Sequence, residues 1–243
     1  MRILVVRIGR AGDIVMTTPA LNAILDKYPD ASITILTGPD GRRLLKGFHP
    51  RIKDLWIWDR SGMHGFFDKR KILKMLASNT FDIIYCFDTS KKIARLFDNS
   101  NARIYRQTSL DHSKHCAVNY LETIEAVTGN LDKAYYASLP VDPSAEEGVK
   151  NELLSHGIKP DDIVVMLHPS YSGYTTNPII KFLRKNNHSL IHRFWPPENF
   201  GRLADLIATH TTGTASTPNL IIDPVPEPAP LRPAELKHSQ HHP

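Results

Sequence analysis

Residues Arg2 to Ile8 form a short apolar run that breaks at Gly9, and a helical pattern follows in GRAGDIVMTTPAL. Similar strand-like runs recur at Ser32 to Leu36, Asp54 to Trp58 and Phe81 to Phe87. Between them lie helical segments around Thr18 to Lys27, Gly41 to Gly47 and Phe66 to Ala77. Apolar strands alternating with helices predict an α/β fold whose parallel sheet is covered on both faces.

The first strand-to-helix turn is also the first candidate site. Gly9 and Gly12 let the backbone turn sharply and approach a ligand, and the free N–H groups and positive end of the helix favour oxygen-rich groups. Asp13 stands at the lip of this turn. Two readings of it are open: a helix cap, for which Asp is a preferred residue type, or a base that takes a proton from a substrate hydroxyl. Thr17 and Thr18 follow at helical spacing, either as hydroxyl donors to the same mouth or as satisfied side chains of the first turns. Pro19 is expected to end an initial turn and begin the helix proper, because its missing N–H costs least near a helix start.

The 243 residues are 41% hydrophobic and 23% charged, the balance of a soluble globular protein. A formal charge of +5 and a pI near 9.1 favour acidic partners. Arg7 interrupts the N-terminal apolar run, so no secretory signal is read there, and no apolar stretch is long enough to cross a bilayer. Cys86 and Cys116 make neither a disulfide framework nor a metal quartet; they predict small packed side chains in a reducing, cytoplasmic setting. The basic residues lack an aromatic sheet motif or a recognition helix, which argues against nucleic acid.

Farther along, Lys114 to Val127 repeats Val118, Leu121 and Ile124 at helical spacing. LPVDP, residues 139–143, reads as a linker leading into a helix whose first turn carries Ser144, Glu146 and Glu147. DDIVVMLHPS then repeats the opening design with a strand from Ile163 to Leu167. A basic stretch from Ser172 to Arg193 reads as a solvated loop or as phosphate contacts. In FWPPENFGRLADLIA the pair Pro196 and Pro197 opens a helix with Phe200, Leu203, Leu206 and Ile207 on its inner face, and Trp195 is expected in the core. After residue 217 come seven of the eighteen prolines and one apolar triplet, Leu220 to Ile222, which predicts a disordered tail. The expected organisation is a domain over 1–142, a linker helix over 143–160, a partial domain over 161–208 and a low-complexity tail over 209–243.

GRAGDIVMTTPAL, LDKYPDASITILTGPDGRRLL, HPRIKDLWIWDR, VVMLHPS and HRFWPPENFGRLADLIA occur in an order that resembles glycosyltransferase family 9, the ADP-heptose lipopolysaccharide heptosyltransferases. The likeness covers most of residues 1–208. It implies a GT-B arrangement of two Rossmann-like domains, the first holding the acceptor and the second the nucleotide sugar. It also implies inverting transfer with no metal and no cofactor beyond the ADP-heptose substrate; in keeping with this, the chain has no D-x-D triplet. By resemblance Asp13 matches the general base, with Gly9, Gly12, Thr17 and Thr18 beside the acceptor. Ser170 and Tyr171 match residues on the donor phosphates, and Arg193 matches a cation that offsets charge on the departing diphosphate. The implied partners are a nucleotide sugar, a lipopolysaccharide core or related glycolipid, and the cytoplasmic face of the inner membrane, met by a monomer.

The family's later D-[ST]-G-P-x-H segment has no counterpart here, since Gly213 in TTGTAST is the only glycine after Gly201. An incomplete, truncated second domain is therefore expected. Two functions follow: a heptosyltransferase-type enzyme, or an inactive remnant that retains acceptor binding alone. An unrelated dinucleotide-binding protein is disfavoured, because the opening turn lacks G-x-G-x-x-G.

Overall fold

The computed structural model describes residues 1–60, 64–168, 195–211 and 219–222, which divide into two units, Met1–Asp142 and Pro143–Pro243. In the first unit the order is β1 (Arg2–Arg7), α1 (Ala11–Lys27), β2 (Ser32–Thr37), α2 (Pro39–Leu45), β3 (Ile52–Ile57) and α3 (His64–Ala77). There follow β4 (Ile83–Cys86), α4 (Lys91–Ala94) with a 3-10 turn at Arg95–Phe97, β5 (Arg103–Arg106) and α5 (Cys116–Thr128). The five strands form one parallel sheet in the order β3-β2-β1-β4-β5.

The apolar run of β1 is continuous because both faces of the sheet are covered. Ile3 and Val5 point to one side and pack with Ile24 of α1 and Tyr120 of α5; Leu4 and Val6 point to the other, with Ile72 of α3 and Ile93 of α4. All four β1 side chains are fully buried. Strand β4 lies within the run read from Phe81 to Phe87, whereas β5 was not read from the sequence. The short β5 carries Arg at both ends, and only its pairing with β4 identifies it. Cys86 is buried within β4, as its expected packing role requires, and Cys116 is half-buried at the start of α5.

Helix α1 runs unbroken through Pro19, contrary to the expectation that the helix begins there. Proline has no N–H to give the carbonyl four residues back, which frees the Val15 carbonyl oxygen. The Thr18 hydroxyl donates to that oxygen at 2.8 Å and repairs the gap. At the other end Arg51 donates to the carbonyl oxygens of Leu25 and Tyr28, both at 2.6 Å, and closes the last turn. After α5, Gly129 turns the chain with φ 77°, and the following segment is tied along α1. Lys27 donates to the Asn130 carbonyl, Lys133 pairs with Asp26 at 2.7 Å, and the Ser138 N–H donates to the Thr18 hydroxyl at 3.0 Å.

The second unit contains α6 (Pro143–Ser155), β6 (Val164–Leu167), α7 (Pro197–Thr211) and β7 (Asn219–Ile222). Strands β6 and β7 pair in parallel, Val164 opposite Asn219 through Leu167 opposite Ile222. This corrects the reading of 209–243 as wholly unstructured, since α7 runs to Thr211 and the apolar triplet of the expected tail lies in a strand. Pairing with a distant strand is invisible to a composition argument. Among the residues of this unit whose side chains are described, which leave out those of β7, Ile158 and Leu167 are the buried ones, and α6 buries none. Leu206, expected on the inner face of α7, is exposed, and Trp195 stands half out of the surface against Phe200 rather than in a core.

Candidate functional site

In the sheet order, β1 lies between β2 and β4, so successive crossovers leave it in opposite directions. Open α/β sheets bind ligands in the crevice outside the strand ends at such a switch point. Here the C-terminal ends of β1, β2, β3 and β4 surround a cavity of about 590 Å³. Its walls carry three arginines, Arg7, Arg10 and Arg60, and three carboxylates, Asp13, Asp40 and Asp88.

Asp13 occupies the third position of α1, where its carboxylate reaches back over the helix start. Oδ2 accepts the Arg10 N–H at 3.0 Å, and Oδ1 pairs with the Arg7 guanidinium at 2.8 Å. Arg7 is in turn held under the sheet end, donating to the Phe87 carbonyl at 3.4 Å with its guanidinium 5.6 Å from the centre of the Tyr120 ring. The carboxylate thus has a fixed orientation and still keeps 43% of its side chain open to solvent. The cap and the base are compatible uses of one group, because each oxygen retains a second lone pair.

Gly9 is what allows this placement. A Cβ there would lie 2.5 Å from Asp13 Cβ and 2.6 Å from Oδ2, closer than real atoms approach, whereas a Cβ at Gly12 would meet nothing within 4 Å. Of the two glycines read at the mouth, one is demanded by the site and the other is not.

Thr17 and Thr18 do not line the cavity. Both are buried; Thr17 donates to the Asp13 carbonyl at 2.8 Å and Thr18 to that of Val15. Their expected contact with an acceptor is corrected to a role inside α1: Thr18 takes the carbonyl that Pro19 leaves open, and Thr17 bonds back one turn to the Asp13 carbonyl. The anion-cradle expectation changes too. The Ala11 N–H donates to Asp40 Oδ2 at 3.0 Å, and the Arg10 N–H is taken by Asp13, so the protein's own carboxylates occupy these first helix donors. What remains accessible is a set of acceptors suited to hydroxyls, flanked by arginines suited to anionic groups.

Three wall residues were missed by sequence reading. Asp88 follows β4, is almost fully buried, and accepts the Ser90 N–H at 2.9 Å. Asp40 starts α2, and Arg60 crosses from the end of β3 to donate to the Ile8 carbonyl at 3.2 Å. Their common signal is a charged residue within three positions of a strand's C-terminal end, in CFDTS, TGPDG and IWDR, once the strands are known to end side by side. Ser170, Tyr171 and Arg193, together with the basic stretch that contains them, lie outside the described residues.

No protein-family model matches the chain. It is 24% identical over 175 residues to lipopolysaccharide heptosyltransferase 3 of Escherichia coli strain K12, a similarity covering 63% of this chain and 50% of that protein. The chain therefore spans about half the length of this curated relative. Among solved structures, a glycosyltransferase family 9 protein from Veillonella parvula DSM 2008 superimposes with a TM-score of 0.67 at 16% identity, over 91% of this chain and 68% of that one. The E. coli heptosyltransferase WaaC, solved with ADP-2-deoxy-2-fluoro heptose, gives 0.57 at 12% identity, over 93% and 70%. E. coli ADP-heptose lipopolysaccharide heptosyltransferase II gives 0.53 at 14%, over 90% and 72%. These similarities bear out the resemblance drawn from the motifs: the chain is heptosyltransferase-like in sequence and GT-B-like in fold.

Proposed function

We propose that this protein is a heptosyltransferase-type glycosyltransferase that moves a heptose from ADP-heptose to a lipopolysaccharide core or related glycolipid, with inversion and without a metal, at the cytoplasmic face of the inner membrane. The observation that carries the reading is Asp13, oriented by Arg7 and the Arg10 N–H at the lip of a switch-point cavity. In the proposed step an acceptor hydroxyl gives its proton to Asp13 while its oxygen bonds to the anomeric carbon. The bond from that carbon to the diphosphate breaks, and ADP leaves with the electron pair. Arg10 and Arg60 suit anionic groups of the acceptor, and Arg193 is assigned the charge on the departing diphosphate.

The test is sugar transfer by the full chain from ADP-heptose to heptose-free lipopolysaccharide core. Asp13→Asn keeps the shape and removes the base, so the rate should fall by roughly 10²–10⁴. A wild-type rate in Asp13→Asn refutes the assignment. The shallow packing of the described part of the second unit favours a second reading, in which the chain binds acceptor and does not turn over. Acceptor binding by calorimetry with no transfer supports that reading.

A further inference from the structure

Helix α3 turns one face to the sheet and leaves an unusual one in water. Ile72 is buried with Met75 and Leu76 packed beside it, which fixes the inner face. The outer face carries Phe66, 60% exposed, Phe67, 65% exposed, and Leu73, 42% exposed. The two rings meet edge to face at 5.8 Å, so they form one apolar knob at the first turns of the helix. Around the knob stand Lys69, Arg70, Lys71 and Lys74, all exposed and none ion-paired with a described carboxylate. The one acid of the helix, Asp68, is turned away to accept the Asp59 N–H at 2.9 Å. Ile93 of α4 packs in the same cluster as Ile72, so α4 lies over the same sheet face, where Lys91 and Lys92 are also exposed.

We infer that this face of α3 docks the protein on an anionic lipid surface, with Phe66 and Phe67 entering the headgroup boundary and the cations meeting lipid phosphates. Two exposed aromatic rings cost solubility and contribute nothing to the core, and four cations without an ion-pair partner among the described carboxylates, Arg70 lying over the Phe66 ring at 5.8 Å, complement a negatively charged interface. The position suits the purpose. Trp58 Nε1 donates to the Gly65 carbonyl at 3.1 Å, pinning the first turn of α3 to the strand end that carries Arg60 into the cavity wall. The knob therefore sits beside the mouth through which a lipid-anchored acceptor would enter. The inference builds on the membrane contact in the proposed function, but its test needs no sugar transfer.

The test is flotation of the full chain with vesicles of phosphatidylglycerol and phosphatidylethanolamine, set against vesicles of phosphatidylcholine alone. Binding is expected to the anionic vesicles and to weaken with salt. Each cation near such a surface contributes about a fivefold factor in partitioning, so K69Q/R70Q/K71Q/K74Q should lower it by a hundredfold or more. F66S/F67S should lower it at least about tenfold at constant salt. All these side chains are exposed, so thermal melts should match the wild type and separate docking from misfolding. Equal binding to both vesicle types, or binding unchanged in both variants, overturns the inference. So does retention on nucleic acid, or a dimer abolished by F66S/F67S, in a chain that does not bind vesicles. Failed flotation with intact transfer to a delipidated core would refute the docking face alone; docking without transfer would refute the enzyme reading alone.

Discussion

Replacing Gly9 by alanine adds one carbon at the point where the site has no room for it. That carbon would stand 2.5 Å from Asp13 Cβ, against a normal carbon separation of about 3.5–4.0 Å, so the start of α1 must retreat by roughly 1 Å. A retreat of that size breaks the 3.0 Å bond from the Arg10 N–H and loosens the 2.8 Å pair with Arg7. Gly9 is not at positive φ, so the substitution carries no backbone penalty and the contact alone is tested. Overpacking and a lost cap together cost about 2 kcal/mol, or about 6 °C in the melting temperature of a unit of this size. Gly12→Ala is the control. With nothing near its new Cβ and a helical backbone, it should stabilise by about 0.5–1 kcal/mol. Transfer or acceptor binding should fall in Gly9→Ala and hold in Gly12→Ala. Equal melts for the two variants would refute the claim that Gly9 exists to make room for Asp13.

Thr18→Val leaves the Val15 carbonyl and the Ser138 N–H without their partner and should destabilise by about 1–3 kcal/mol in urea unfolding, with acceptor affinity unchanged. Burial pushes the Cys86 thiol up to about 11, so near pH 8 the native protein should react with a thiol reagent at Cys116 alone, and at both cysteines in denaturant. The Asp26 carboxyl is held below its ordinary value chiefly by the Lys133 hydrogen bond, with burial opposing. A depressed folded-state value adds stability above the unfolded value of about 3.9 and loses it as pH falls through the folded one. The advantage of the wild type over Lys133→Met should therefore be constant near neutrality and shrink in acid titrations below about pH 4.

The strands and most helices of the first unit were legible because burial on both faces leaves a continuous apolar signature in RILVVRI and FDIIYCF. The gaps have physical reasons. Pro19 reads locally as a helix boundary, and the neighbouring Thr18 hydroxyl, bonding back to the carbonyl that Pro19 leaves open, accommodates it as an interior residue. The edge strand β5 and the short β7 depend on partners far away in the chain. Asp13 stood out because GRAGD places it at a helix mouth. Asp88 and Asp40 did not, because an acid after a strand is ordinary until the sheet order brings the strand ends together. Thr17 and Thr18 show the reverse error: a polar residue near a site need not face it.

The sheet order leaves two strands, β3 and β5, with an unpaired side in the described structure, and a bare parallel edge invites strands from other molecules. Both edges are guarded by charge. Lys53 and Asp54 are exposed on β3, while Arg103 and Arg106 bracket the four residues of β5, the latter tied to Asp98 at 3.0 Å. Those residues do little for folding and nothing for a ligand, yet they decide how concentrated the protein can become before it precipitates. An engineer who trimmed them for apolar residues would gain β propensity and lose a monodisperse sample.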